Sequence, residues 1–487
     1  MKRYIIQISI ILTFLLAIFF ILNKHTTAPN FIIIFADDQG YNDLGCYGSE
    51  IIKTPNIDLL AKEGIRFTDF YAQPICGPSR AALLTGCYPL RVAEKDNKKN
   101  IHPVLHTKEI TIAEILKTKG YATACFGKWD LAGHSQDHFQ PGLMPNNQGF
   151  DYFFGTPTSN DNKVNLYQND SCIEKNADMA YLTQRYTDEA ISFIERSKDQ
   201  PFFVYIPLTM PHTKLAASPD FIGKSERGLY GDVIDEIDYN VGRIREKLTE
   251  LKLDKNTWVF YLSDNGPWLI KNKNWEQGYL PEDHGGSAKP LRSGKVSTWE
   301  GGVRIPAIAW APGNIPEGKV NSSECSTMDL LPTIAKLAGA EVPSDRIIDG
   351  KSILEILQKG NSNTASEKCY FYYFYTNLQA VRKGKWKLHL PRPEHAEWLG
   401  NFKINKHISP ADDVGFSSPA LFNLENDPAE TTDVANQYPE IVNQLLKLAE
   451  KARKDIGDYN RIGEGARFYD DNPMRPDVLK WQKEIDK

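Results

Sequence analysis

The feature that most constrains the fold is a series of short, unbroken apolar segments at residues 31–35, 121–126, 202–206 and 258–262. The last three each follow a stretch with helical apolar spacing, at 111–119, 182–196 and 232–251. A strand without polar alternation is buried on both faces, and helix followed by such a strand, repeated, is the pattern of a parallel sheet covered by helices. Thr111 suits a helix N-cap and Gly120 a helix stop, which supports the first of these stretches. From about Lys368 the pattern changes. Residues 369–375, 379–390 and 421–424 read as shorter strands, with a helix near 438–451. The expected class is α/β, a large and mostly parallel sheet flanked by helices, with a smaller C-terminal antiparallel sheet plus helix.

Composition narrows the functional classes. Lys and Arg total 57 against 62 Asp and Glu, a formal net charge of −5, so no basic excess points to nucleic acid as a partner. Hydrophobic residues at 41% and charged residues at 24% are ordinary for a globular chain and exclude wholesale disorder. The N-terminus stands apart: Lys2 and Arg3 precede an apolar run over 5–22, broken only by Gln7, Ser9 and Thr13. A basic start and an apolar run read as an export signal, and about 20 such residues also suffice for an uncleaved anchor. The expected organisation is therefore 1–28 as signal peptide or anchor, 29–365 as the catalytic domain, and 366–487 as a smaller subdomain with a polar tail. Localisation is expected to be periplasm, cell envelope or secreted, with membrane contact only through the N-terminal segment. The seven cysteines are widely spread and include no Cys-x-x-Cys pair, so neither a disulfide scaffold nor a zinc site is expected.

Each apolar segment runs into reactive side chains. The first ends in Asp37-Asp38, the second in Lys128-Trp129-Asp130 with His134 close behind, the third leads to Pro211-His212, and the fourth ends in Asp264-Asn265. Ligands of parallel sheets gather at the carboxyl ends of the strands, so these groups are expected on one edge. Asp37, Asp38, Asp264 and Asn265 are all oxygen donors, which suits a hard divalent cation such as Ca²⁺ or Mg²⁺. Taken singly, an Asp pair or an Asp-Asn-Gly is an ordinary turn or cap. Their shared position after buried strands favours the metal. The segment Cys76-Gly-Pro-Ser-Arg80-Ala-Ala-Leu-Leu-Thr-Gly86 carries the most information. Pro78 fits the first turn of a helix, Cys76 would lie at its positive end, and Arg80 would share the face of Cys76 one turn on.

This segment resembles the signature of the formylglycine-dependent sulfatases, Cys-x-Pro-Ser-Arg-x-x-x-Leu-Thr-Gly, at every fixed position. The resemblance extends over about residues 29 to 450. It includes Ala36-Asp-Asp-Gln-Gly40, Thr54-Pro-Asn-Ile-Asp58, Gly127-Lys-Trp129, Met210-Pro-His212, Ser263-Asp-Asn-Gly266, Gly294-Lys295, Trp299-Glu-Gly-Gly-Val-Arg304 and Leu421-Phe-Asn-Leu-Glu-Asn-Asp-Pro428. It implies an alkaline-phosphatase-like fold with a large mixed sheet and hydrolysis of sulfate esters, with a sulfated carbohydrate as the expected substrate. It also implies that a maturation enzyme oxidises Cys76 to formylglycine (3-oxoalanine), whose hydrate supplies the nucleophile. One Ca²⁺ would be held by Asp37, Asp38, residue 76, Asp264 and Asn265. Arg80 and Lys128 would neutralise the oxyanion, and His212 and Lys295 would bind sulfate and assist departure of the alcohol. Conversion of Cys76 would leave an even number of cysteines.

One departure bears on mechanism. The family commonly reads Gly-Lys-Trp-His, whereas this chain has Gly127-Lys-Trp-Asp130 with His134 four residues on. Asp130 is expected to act as the base, or His134 swings in from the loop as a substrate-binding or proton-accepting group. His284, in Asp283-His-Gly-Gly286, reads either as lining the pocket or as a solvated loop histidine, and Asn160-Asp161 either as a plain turn or as a contact for sugar hydroxyls. Two rival readings are a phosphate or phosphonate ester hydrolase on the same fold, and a catalytically silent protein that binds sulfated glycans.

Overall fold

A computed structural model describes residues 28–92, 105–161, 163–269, 285–360, 368–392, 416–458 and 461–467. The apolar segment 5–22 and His284 lie outside them. Eleven strands of the described chain form one sheet: β1 (Asn30–Ala36), β2 (Ile65–Tyr71), β3 (Ala122–Lys128), β4 (Tyr152–Thr156), β5 (Leu166–Gln168), β6 (Ser171–Glu174), β7 (Phe202–Pro207), β8 (Thr257–Ser263), β9 (Arg304–Trp310), β10 (Lys319–Asn321) and β11 (Cys325–Ser326). The order across the sheet is β10-β2-β9-β8-β1-β7-β3-β4-β5-β6, with β11 also pairing β2.

The four apolar segments form its centre. β1 is parallel to both β7 and β8, and β7 to β3. Because side chains alternate along a strand, Phe31, Ile33 and Phe35 enter one hydrophobic layer while Ile32, Ile34 and Ala36 enter the other. Helices α1 (Pro55–Lys62), α4 (Leu182–Arg196) and α5 (Leu229–Glu250) cover the second face through residues such as Leu60, Ile194 and Ile237. Helices α2 (Cys76–Thr85), α3 (Ile112–Lys117) and α6 (Leu330–Leu337) cover the first through Leu84, Leu116 and Ile334. The N-cap at Thr111 forms a full capping box with Glu114.

The sheet is mixed because β9 runs antiparallel to β8 and β2, and β5 runs antiparallel to β4 and β6. The sequence pattern did not single out β2, β4 or β9. In β2 a register shift between Phe67 and Phe70 breaks the apolar alternation that would have marked it.

The C-terminal sheet contains β12 (Cys369–Phe374), β13 (Asn377–Lys383), β14 (Trp386–His389) and β15 (Ala420–Asn423), all antiparallel, with α7 (Pro439–Asp455) packed on it through Leu445, Ala449 and Ala452. The single strand expected over 379–390 is two strands. Gly384 turns the chain between them with φ of 58°, a left-handed conformation that costs glycine nothing. All seven cysteines are free thiols, so the parity of the cysteine count says nothing about residue 76. No helix among the described residues is long and apolar enough to cross a membrane.

Candidate active site

Because β1, β3, β7 and β8 are parallel, their carboxyl ends share one edge, and the clusters that follow them meet there. Asp38 leaves β1 with φ of 66° and Asp130 follows β3 with φ of 53°; left-handed backbone of this kind concentrates where side chains must be aimed. Gly127 allows β3 to approach β7 closely just before Lys128: a Cβ there would stand 1.8 Å from the Pro207 carbonyl oxygen. Helix α2 begins at Cys76 beneath this edge, fully buried along its length, and Gly86 closes it with φ of 68°. Ser79 ties the helix to the sheet, because its hydroxyl accepts from the Gln73 N–H at 2.9 Å and donates to the Asp264 carbonyl. That tie was not anticipated from Ser79's place in the motif.

Charge is concentrated around the Cys76 thiol. Cys76 Sγ lies 3.2 Å from Asp37 Oδ1, 3.7 Å from Asp38 Oδ1 and 3.0 Å from Lys295 Nζ. Lys128 Nζ pairs with Asp37 Oδ2 at 2.7 Å, Lys295 Nζ with Asp38 Oδ1 at 2.8 Å, and Arg80 with Asp264 Oδ2 at 2.8 Å. Asn265 donates to Asp38 Oδ1 at 2.7 Å, and the Asp38 N–H donates to Asp264 Oδ1 at 3.0 Å. His212 Nε2 stands 3.7 Å from Asp38 Oδ2. The structure thus brings together Asp37, Asp38, Cys76, Arg80, Lys128, His212, Asp264, Asn265 and Lys295. Lys295 arrives on a loop, not a strand; its N–H donates to the Pro267 carbonyl at 2.9 Å.

Electrostatics separate these groups. Burial alone would raise Asp37, but Lys128, His212, Arg80 and Lys295 overturn that and hold its carboxyl well below the usual range. Burial, with the Asp37 carboxylate beside it, pushes Asp264 up. Burial and the Asp264 and Asp37 charges also push the Cys76 thiol well above its ordinary value, against the pull of Lys128 and Lys295. A thiol so placed is protonated at neutral pH and a poor nucleophile. Burial, then Lys295 and Lys128, lower His212 below its ordinary value, against the pull of Asp38 and Asp37.

The donor set fits a hard cation. One ligand atom each from Asp37, Asp38, Cys76 and Asp264 lie within 4.8 Å of one another. Asn265 Oδ1 is buried and has no hydrogen-bond partner among the described residues, and a buried acceptor left so is costly unless something occupies it. A divalent ion would also offset the charge that raises Asp264.

Asp130 and His134 sit beside this cluster and bond to each other. Asp130 Oδ2 is 4.0 Å from Lys128 Nζ, and its Oδ1 is 3.3 Å from His134 Nδ1. His134 Nε2 is 3.0 Å from Asp161 Oδ2, and Asp161 Oδ1 is 3.5 Å from His212 Nε2. The Asn160-Asp161 stretch read as a plain turn or a contact for sugar hydroxyls, and neither reading tells that Asp161 stands between two histidines.

Comparison with known proteins decides the family. A family model described as Sulfatase matches residues 29–340, and one described as C-terminal region of aryl-sulfatase matches 365–476. The chain belongs to the sulfatase family, within the alkaline phosphatase superfamily. This sulfatase is 35% identical to the N-acetylgalactosamine-6-sulfatase of Canis lupus familiaris over 88% of its own length and 86% of that protein's. It is 33% identical to the steryl-sulfatase of Mus musculus, over 87% and 82% of the two chains. Among solved structures, PsFucS1 sulfatase from Pseudoalteromonas sp. superposes with a TM-score of 0.74 at 28% identity, covering 88% of this chain and 90% of that one. The sulfatase is accordingly a sulfuric ester hydrolase.

Proposed function

We propose that this enzyme hydrolyses a sulfate ester on a carbohydrate, using a formylglycine made from Cys76 by a maturation enzyme and one bound Ca²⁺. The observation that carries the reading is the Cys76 side chain, buried at the first turn of α2 and held between the Asp37 carboxylate and the Lys295 ammonium. As a thiol it is disabled there; as the hydrated aldehyde it would supply the attacking oxygen, while Ca²⁺ would draw electrons from the sulfate. Asp37, Asp38, Asp264 and Asn265 are the residues that would hold the ion, with residue 76 completing the set.

The chain's other residues have distinct tasks in this reading. Arg80 holds Asp37 and Asp264 in place and supplies fixed positive charge at residue 76. Lys128 and Lys295 are protonated cations on either side of it, placed where negative charge develops in the transition state. His212 is the group that meets the alcohol oxygen as it leaves, and Asp130 is the carboxylate available as proton acceptor. The carbohydrate assignment is supported by the N-acetylgalactosamine-6-sulfatase relative. Residues 29–365 form the catalytic unit and 366–487 the smaller one. Export to the periplasm, cell envelope or medium, with 1–28 as signal or anchor, completes the proposal.

The test is to produce the chain with a formylglycine-generating enzyme, measure the mass of the peptide carrying residue 76, and assay sulfated sugars beside steroid sulfates and phosphate monoesters. Conversion at residue 76 with turnover of a sugar sulfate is expected. Preference for a phosphate ester, or tight binding of a sulfated sugar without turnover by converted protein, would move the assignment to the corresponding rival.

A further inference from the structure

Pairing of β3 with β4 ends where the Trp129 N–H donates to the Thr156 carbonyl at 2.9 Å, and beyond it the two loops are joined by side chains. Gln136 Nε2 donates to Thr156 Oγ1 at 2.7 Å and to the Ser159 carbonyl at 2.8 Å, and Asn160 Nδ2 donates to the Thr209 carbonyl at 2.9 Å. The charged part of this seam runs Asp130, His134, Asp161, His212, at 3.3, 3.0 and 3.5 Å between successive groups. Asp130 is nearly inaccessible at 3% side-chain exposure, whereas His134 and Asp161 are 43% and 44% exposed. The inner end touches α2: a Cβ placed on Gly77 would stand 3.4 Å from the Asp130 carbonyl oxygen and 3.8 Å from its Oδ2. Asp130 therefore abuts the residue next to position 76, and its left-handed backbone needs something to hold it there.

We infer that His134 and Asp161 are positioning residues: they form a latch that joins the 156–161 loop to the 130–136 loop and sets the Asp130 carboxylate against the first turn of α2. This rests on the proposed function and deepens it, because it separates the roles of Asp130 and His134. Each ring nitrogen of His134 faces a carboxylate oxygen, so the ring serves both only as an imidazolium with two N–H donors. Burial works against that charge, but Asp130 and Asp161 outweigh it and raise His134 to about 10. Such a ring has no lone pair with which to take a proton. Asp130 is held ionised by Lys128 and His134 despite its burial. The proton acceptor beside residue 76 is then Asp130, and Asp161 acts on it through His134.

The experiment has two readouts. In the full chain with Cys76 left unconverted, ring-labelled histidines are followed by NMR across pH, with His134→Gln to assign the signal. His134 is expected to remain imidazolium at pH 8, and Asp161→Asn to lower its midpoint by about one unit or more. In converted enzyme, Asp161→Asn is expected to reduce kcat on 4-nitrophenyl sulfate by about 10- to 100-fold with KM nearly unchanged, and Asp161→Glu to recover part of it. A neutral His134 ring at pH 8 in the unsubstituted chain overturns the latch, as does an Asp161→Asn enzyme with unchanged kcat. If converted enzyme turns over no sulfate ester at all, it is the functional reading that fails, and the ring titration alone decides the latch.

Discussion

Two of the buried charge clusters among the described residues differ in what is left over. At the junction with the C-terminal sheet, Lys387 Nζ lies 2.9 Å from both Glu300 Oε1 and Glu430 Oε1 and donates to the Thr298 carbonyl at 2.8 Å. Glu300 also accepts from Tyr71 at 2.6 Å and Tyr372 at 3.1 Å, and Glu430 accepts from the Glu300 N–H at 2.7 Å and pairs with His389 at 2.7 Å. Every oxygen of those two carboxylates has a donor. At the strand ends, by contrast, Asn265 Oδ1 has none among the described residues, and Cys76 is a thiol pressed against two carboxylates. Buried charge is thus no sign of chemistry by itself. The junction is a closed network that joins two sheets, while the site leaves a buried acceptor without a donor among the described residues.

The largest effect should come from removing the nucleophile. Cys76→Ala is expected to lower sulfate-ester turnover by about 10³-fold or more while the melting temperature stays close to that of the parent. If converted parent and Cys76→Ala turn over at the same rate, the site contrast is misplaced. Next comes the cation. Chelation should cost about 10²- to 10³-fold in rate, and should lower the melting temperature because bound ion stabilises the fold by about 4 kcal/mol at a thousandfold excess over Kd. Added calcium should restore both. Chelation that moves neither would mean that Asn265 Oδ1 and the three carboxylates face something other than a metal.

The same contrast explains what could be read in the sequence. The central strands were legible because residues 31–35 and their counterparts are apolar without interruption, which only a doubly covered strand tolerates. Strand β2 was not, since the register shift between Phe67 and Phe70 interrupts its apolar alternation. Asp37, Asp38 and Asp264 were legible as a set because a parallel sheet delivers strand ends to one edge. Lys295 lies on a loop, so only the resemblance to the family suggested it. Glu300 and Lys387 escaped altogether as a pair, because residues 87 apart meet only once both sheets have formed. Asp161 escaped as a bridge for a similar reason: its partners are set by packing of loops, on which local propensity is silent.

The junction predicts the opposite signature from the site. Lys387→Met leaves Glu300 and Glu430 buried without their shared cation, and breaking such a network costs about 3–5 kcal/mol. The melting temperature and denaturation midpoint should fall accordingly, while the rate per folded molecule changes by about twofold or less, since Lys387 touches none of the reacting groups. A large loss of rate in the folded variant would show that the junction aims the Lys295 loop as well as joining the sheets.

The smallest effect belongs to the latch, which is neither closed in the core nor open to a cofactor. His134 carries a folded-state value raised to about 10 from 6.5, with its two carboxylate partners outweighing burial. Its contribution to stability is therefore fully present below about pH 6.5 and is lost as pH rises through about 10. With both His134 and Asp161 more than two-fifths exposed, solvent screens the pairs, and about 0.2–1 kcal/mol each is the proper scale. Denaturation curves at pH 6 and pH 10 should therefore differ slightly more for the parent than for His134→Gln. An identical difference would place the latch energy outside His134. A larger loss for His134→Gln at pH 10 than at pH 6 would reverse the sign, and with it the claim that two carboxylates keep this ring charged.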